Sequence, residues 1–138
     1  MLKTRTIEVQ AKGFCDVINI TDEVHKFLQD TGIKNGQVLV FVAGSTAGVT
    51  TIEYEAGVVK DLQEYFERIV PRDAEYYHDN KWGDGNGFSH VRSALLGTSL
   101  TVPIIAKKLS LGTWQQVALV DFDNRERIRK VIIQIRGE

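Results

Sequence analysis

The stretch Gln37–Glu53, QVLVFVAGSTAGVTTIE, decides the fold. Gln37 to Ala43 is a continuous apolar run flanked by glycines, which predicts a strand buried on both faces. Gly44-Ser45-Thr46-Ala47-Gly48 interrupts the run, and the β-branched residues from Val49 to Glu53 predict the next strand.

On the N-terminal side, Thr4 to Val9 alternates, with Ile7 and Val9 on one face, and Phe14 to Ile20 follows as its expected partner strand after Lys12-Gly13. Thr21 or Asp22 caps an expected helix that runs to about Asp30, buries Val24, Phe27 and Leu28, and ends at Gly32. On the C-terminal side, Val58, Val59, Leu62, Phe66 and Ile69 recur at helical spacing, and Pro71 closes that element. Residues 72–88 are polar and glycine-rich and read as a long loop, with Ser89 capping a short helix from His90 to Leu96. Leu100 to Ala106, Trp114 to Phe122 and Ile128 to Arg136 are strands, with Asp123-Asn124 at the turn of a final hairpin. The expected class is α+β: mostly antiparallel sheets forming a sandwich, with two or three helices packed on them.

The totals agree with one domain over residues 1–138. Apolar residues make 43% and charged residues 25%, with a net charge of −1, so no broad basic face for nucleic acid follows. Cys15 is the only cysteine, which excludes an internal disulfide and a CxxC metal site. No apolar run approaches the roughly 20 residues of a membrane helix, and MLKTRTIEVQ lacks the apolar core of a signal peptide, so a cytoplasmic location without membrane association is expected.

Four segments carry candidate chemistry. His78, Asp79, Asp84, Asn86 and His90 lie in YYHDNKWGDGNGFSH, where paired imidazoles can ligate a divalent metal or act as acid and base near neutrality. Solvated loop residues are the plainer alternative, although Tyr76, Tyr77, Trp82 and Phe88 offer anchors and an apolar wall. In GSTAGVTTIE, the glycines let backbone amides converge on an anion and Ser45 and Thr46 add hydroxyls, but no P-loop lysine follows. Glu53 sits at the end of that strand. In LSLGTWQQ, Trp114 and Gln115 point to opposite faces of a strand, Trp114 serving as core or as a pocket wall. Arg125, Arg127 and Arg129 fall on one face of a strand, either gripping a phosphate or forming a solvated edge over an inward Ile128.

The combination of GSTAGVTTIE, YYHD, GDGNGFSH, ALLGTSLTVP, LSLGTWQQ and DFDNRERIR resembles the YjbQ-type family of secondary thiamine-phosphate-synthase-like proteins, from about Val38 to the C-terminus. The resemblance implies a homotrimer and a site built from His78, His90, Asn86, Glu53, Trp114 and Gln115. It also implies a thiamine-phosphate-synthase-like transferase that joins a pyrimidine-methyl diphosphate to a thiazole phosphate and releases pyrophosphate. On that reading His78, His90, Glu53, Asp84 and Asn86 are catalytic, and Ser45, Thr46, Trp114, Gln115 and Arg127 bind a phosphorylated metabolite. His78 and His90 would hold a divalent metal, magnesium or zinc. A metal-dependent phosphoester hydrolase and a non-catalytic metal- or metabolite-binding protein are the alternatives. The chain departs from the family pattern at Gly44 and Phe88, where relatives carry histidine, and at Lys107, where a turn glycine is usual.

Overall fold

The computed structural model describes residues 1–138, apart from the side chain of Trp82. Eight strands and four helices follow one another as β1 (Leu2–Ala11), β2 (Asp16–Asn19), α1 (Thr21–Thr31), β3 (Gly36–Val42), β4 (Ala47–Glu53), α2 (Ala56–Ile69), α3 (Tyr77–Trp82), α4 (Gly87–Leu96), β5 (Ser99–Ile105), β6 (Lys108–Leu109), β7 (Gln115–Asp121) and β8 (Arg127–Gly137). They form two antiparallel sheets, ordered β1-β8-β3-β5-β6 and β2-β7-β4. The α+β expectation holds, with one helix more than expected.

The first sheet meets the second through one core, where Val38, Val40 and Val42 of β3 face Val49, Val117 and Leu119. α1 adds Val24, Phe27 and Leu28 to that core, as its periodicity predicts. On the far side of the second sheet, α2 lays Phe66, with Val59 and Leu62, against Ala118, Val120 and Phe122. Strand β7 is therefore sandwiched between layers, its odd residues facing one core and its even residues the other.

This corrects the reading of β3, which buries only one face: Leu39 and Phe41 point outward. β3 carries apolar residues on both sides, but it is the second sheet, most completely β7, that has packed layers above and below. β1 pairs with β8, Leu2 opposite Arg136, rather than with β2, which pairs with β7. β7 and β8 do not form a hairpin, because the chain changes sheets between them. Residues 72–88 are not one loop. Tyr77–Trp82 is helical, Gly83 closes it in the left-handed region at φ 70°, and α4 starts at Gly87, ahead of Ser89. Asn19, rather than Thr21 or Asp22, steadies the start of α1 by accepting from the Thr21 amide. Ala106 and Lys107 both hold positive φ in the β5–β6 turn, so Lys107 adopts the conformation for which a glycine is usual.

Cys15 is buried, and burial pushes its thiol up to about 11. Beside it lies the fully buried Arg92. Its Nε and Nη2 donate to the Val70 carbonyl at 3.0 and 2.8 Å, Nη2 reaches Glu67 at 2.7 Å, and its guanidinium lies 5.0 Å from the Phe88 ring. Arg92 thus caps the C-terminal end of α2 and fills the space between α2, α4 and β7. Arg92→Ala is expected to cost about 2–4 kcal/mol, since it leaves a cavity and an unpaired carbonyl. Urea unfolding measures this, and an unchanged midpoint would contradict the capping role.

Candidate functional site

Loops from both sheets and both short helices converge on Asp123, just past the end of β7. One carboxylate oxygen accepts from Arg127 Nη1 at 2.7 Å and from Thr46 Oγ1 at 3.1 Å. The other accepts from the Asn124 amide at 2.8 Å and from Asn86 Nδ2 at 3.2 Å. Burial alone would raise this carboxyl, but the bonds from Arg127, Asn124, Asn86 and Thr46 outweigh it and hold it down at about 2. Asp123 is therefore an anion at any working pH. It must accept from Asn86, which turns Asn86 Oδ1 away, buried and without a partner.

Behind Asp123 lies a second buried pair. Arg129 binds Asp121 Oδ1 through Nη2 at 2.6 Å and Nε at 3.2 Å, and Nη2 also donates to Thr46 Oγ1. Arg129 is 3% exposed, whereas Ile128 is 63% exposed. The expected solvated edge with an inward Ile128 is thus reversed: Arg129 is the buried residue of the alternation, and Arg125 lies outside the strand.

The two histidines face each other above this network. Their ring centroids are 4.4 Å apart with planes at 39°. His78 Nδ1 lies 3.4 Å from Asp79 Oδ1 and 3.3 Å from Asp84 Oδ1. Asp79 also accepts the Gly87 amide at 2.8 Å, which ties α3 to the start of α4. Asn124 Nδ2 donates to the Asp84 carbonyl at 2.8 Å, tying the segment between them to the β7–β8 connection. Burial and the neighbouring His78 push His90 below the ordinary imidazole value, against the pull of Asp123, Asp84 and Asp79. His90 is thus held neutral near pH 7, ready to accept a proton or ligate a cation.

The donor set suits a divalent ion. One ligand atom each from His78, Asp79 and Asp84 lie within 4.8 Å of one another. Mixed imidazole and carboxylate donors are those that zinc and similar ions take.

Of the residues expected in the site, His78, His90, Asp84, Asn86, Thr46 and Arg127 are brought together, and Ser45 lies next to Thr46 at the exposed loop. Thr46 and Arg127 are already engaged with Asp123. Glu53, Trp114 and Gln115 are elsewhere. Glu53 lies at the opposite end of β4 from Thr46, about 23 Å along the strand. Gln115 pairs opposite Glu53 and donates to Thr51 Oγ1 at 2.9 Å. Trp114 is 72% exposed, so it is not core in this chain. The side chain of Trp82 lies outside the described residues. Asp121 and Asp123 received no site role from the sequence, and Arg129, read there as a phosphate grip or a solvated edge, is buried against Asp121. Their signal was present in DFDNRERIR, where Asp121 and Asp123, and then Arg125, Arg127 and Arg129, recur at i, i+2 at the end of a buried strand.

A family profile described as UPF0047 protein YjbQ-like matches residues 5–138. The chain belongs to this family. A UPF0047 protein of Archaeoglobus fulgidus is 36% identical over 119 residues, 86% of this chain and 90% of its own length. The UPF0047 protein YugU of Bacillus subtilis is 35% identical over 138 residues, 99% of this chain and all of its own. Among solved structures, a YbjQ-like protein of unknown function from Sulfolobus solfataricus superposes with a TM-score of 0.89 at 29% identity, covering both chains completely. A hypothetical protein from Aeropyrum pernix gives 0.91 at 29% identity over 99% of each chain. The UPF0047 fold therefore extends over the whole chain, including the histidine segment.

Proposed function

We propose that the chain is a small-molecule enzyme that acts on a phosphorylated metabolite at the His78–His90 site, with a divalent cation held by His78, Asp79 and Asp84. The observation that carries this reading is the juxtaposition of those three donors, within 4.8 Å of one another, beside a second imidazole held neutral. The reaction to test first is the thiamine-phosphate-synthase-like one, in which the bond from the pyrimidine methylene to the diphosphate breaks and the thiazole nitrogen takes its place. A bound divalent ion would neutralise charge on the departing diphosphate. His90 accepts or returns protons, and Asp123 holds Asn86 and Arg127 in place through its own hydrogen bonds.

The outward apolar residues of the first sheet favour a homotrimer as part of this proposal. A trimer would cover Leu2, Leu39 and Phe41. Among the described residues no helix is long and apolar enough to cross a membrane.

Pyrophosphate release is the test, measured with both precursors together, with each alone, and with magnesium, zinc or chelator. The expected result is release only when both precursors are present, abolished by chelator. Hydrolysis of one precursor alone would favour the hydrolase reading, since Asp84 is half-exposed and leaves the donor set open to water. Metal-raised thermal stability without any release would leave a binding protein.

A further inference from the structure

We infer that the loop Gly44–Thr46 and the Arg129 guanidinium form a phosphoryl-oxyanion site, entered across the side-chain-free face of Gly44. The inference rests on the reading of a phosphorylated ligand and places its phosphoryl group on Arg129 rather than Arg127.

Arg129 is almost wholly buried, yet only two of its three nitrogens are used. Nε and Nη2 bind Asp121 and Thr46, while Nη1 has no hydrogen-bond partner among the described residues. Unlike Asn86 Oδ1 and Asp121 Oδ2, Nη1 is not sealed from solvent. A buried cation with one open donor is an anion site in waiting, because a guanidinium donates to oxyanions in a fixed plane and cannot lose its charge.

Gly44 is what leaves that donor open. A Cβ at Gly44 would lie 2.9 Å from Nη1. The backbone of Gly44 is not in the left-handed region, so its conformation does not require glycine. Space for the guanidinium and for what approaches it does. The amides of Gly44, Ser45 and Thr46 carry no acceptor among the described residues. Consecutive free amides in a loop can turn toward an anion, and the exposed Ser45 adds a hydroxyl.

Asp121 Oδ2 has no partner but is sealed from solvent, and the other oxygens of Asp121 and Asp123 are engaged. Asp121 Oδ1 accepts from Arg129, and Asp123 accepts from four donors. New negative charge therefore meets Nη1, three amides and one hydroxyl. Five donors exceed what a two-oxygen carboxylate takes up and suit the three terminal oxygens of a phosphoryl group. Thr46 and Asn86 both bind Asp123, so the anion would lie one hydrogen-bonded residue away from the histidine site.

The test is titration of the ¹⁵N-labelled full chain with inorganic phosphate, and with acetate as the control. The amides of Gly44, Ser45 and Thr46 are expected to shift with phosphate and to move far less with acetate. Gly44→Ala should weaken phosphate binding about tenfold or more, the worth of one charge-assisted hydrogen bond, with native near-UV dichroism retained. Unmoved amides in the wild-type chain, equal response to acetate, or a folded Gly44→Ala with undiminished affinity would each overturn the site. Should Gly44→Ala fail to fold, the wild-type amide shifts still decide. Absent pyrophosphate release with intact phosphate shifts would remove the proposed reaction and leave this site standing. Release without the shifts would do the reverse.

Discussion

Alanine at His78 or at His90 is expected to lower turnover about 100-fold or more, the usual worth of a positioned acid–base group. The fold should survive with a loss of about 1 kcal/mol or less, since both side chains sit at the surface of short helices and hold no layer of the core. The pH profile separates a chemical role from a merely structural one. His90 lies below the ordinary imidazole value of 6.5 because burial and His78 oppose its charge. A neutral His90 thus persists to lower pH than a free imidazole, and the acid limb of activity should fall below 6.5. Stability follows the same sign: as pH drops through 6.5 the unfolded chain takes up this proton before the folded one, and folding weakens. Wild-type turnover in both variants, with purity controlled, would remove the histidines from the site.

Asp123→Ala should be the most damaging single change in the polar network, costing about 3–5 kcal/mol because it strands Arg127, Asn86 and the Asn124 amide around an uncompensated gap. Asp123→Asn keeps the shape and isolates the charge. The native carboxyl is held at about 2, below its ordinary 3.8, so the folded state favours the ionised form. Its contribution is fully present above about pH 4 and is lost as pH falls toward 2. Urea unfolding of the wild type against Asp123→Asn should therefore show a constant difference near neutrality that narrows through that window. A difference that stays flat down to pH 2 would mean that the charge contributes nothing.

The strands were legible in the sequence because β-branched runs punctuated by glycine have few other solutions. Which strands share a sheet was not. The same apolar alternation lets β1 pair with β2 or with β8, and only the docking of Trp114–Phe122 between two layers decides. The apolar run of β3 misled for a related reason: Leu39 and Phe41 look like core residues, but within one chain they face outward. The histidine loop was found from its composition, although helix α3 hid within it, six residues being too few to show a period. Thr46, Asn86 and Arg127 are drawn together around Asp123. Glu53 and Gln115 are not, because an extended strand carries them away from Thr46. Arg129 was hard to see because an arginine at i, i+2 reads as surface until an aspartate on the neighbouring segment is known to face it.

The pairing of Leu2 with Arg136 has a temporal consequence. The first strand of the chain waits for the last, and β3 also pairs along the length of β8. Arg127 and Arg129, which position Thr46 and Asp123, arrive on that same strand. During synthesis the histidine helices therefore leave the ribosome with their supporting charges still missing. The pocket can close only after β8 is free, so deleting that strand should remove the site and the larger sheet together.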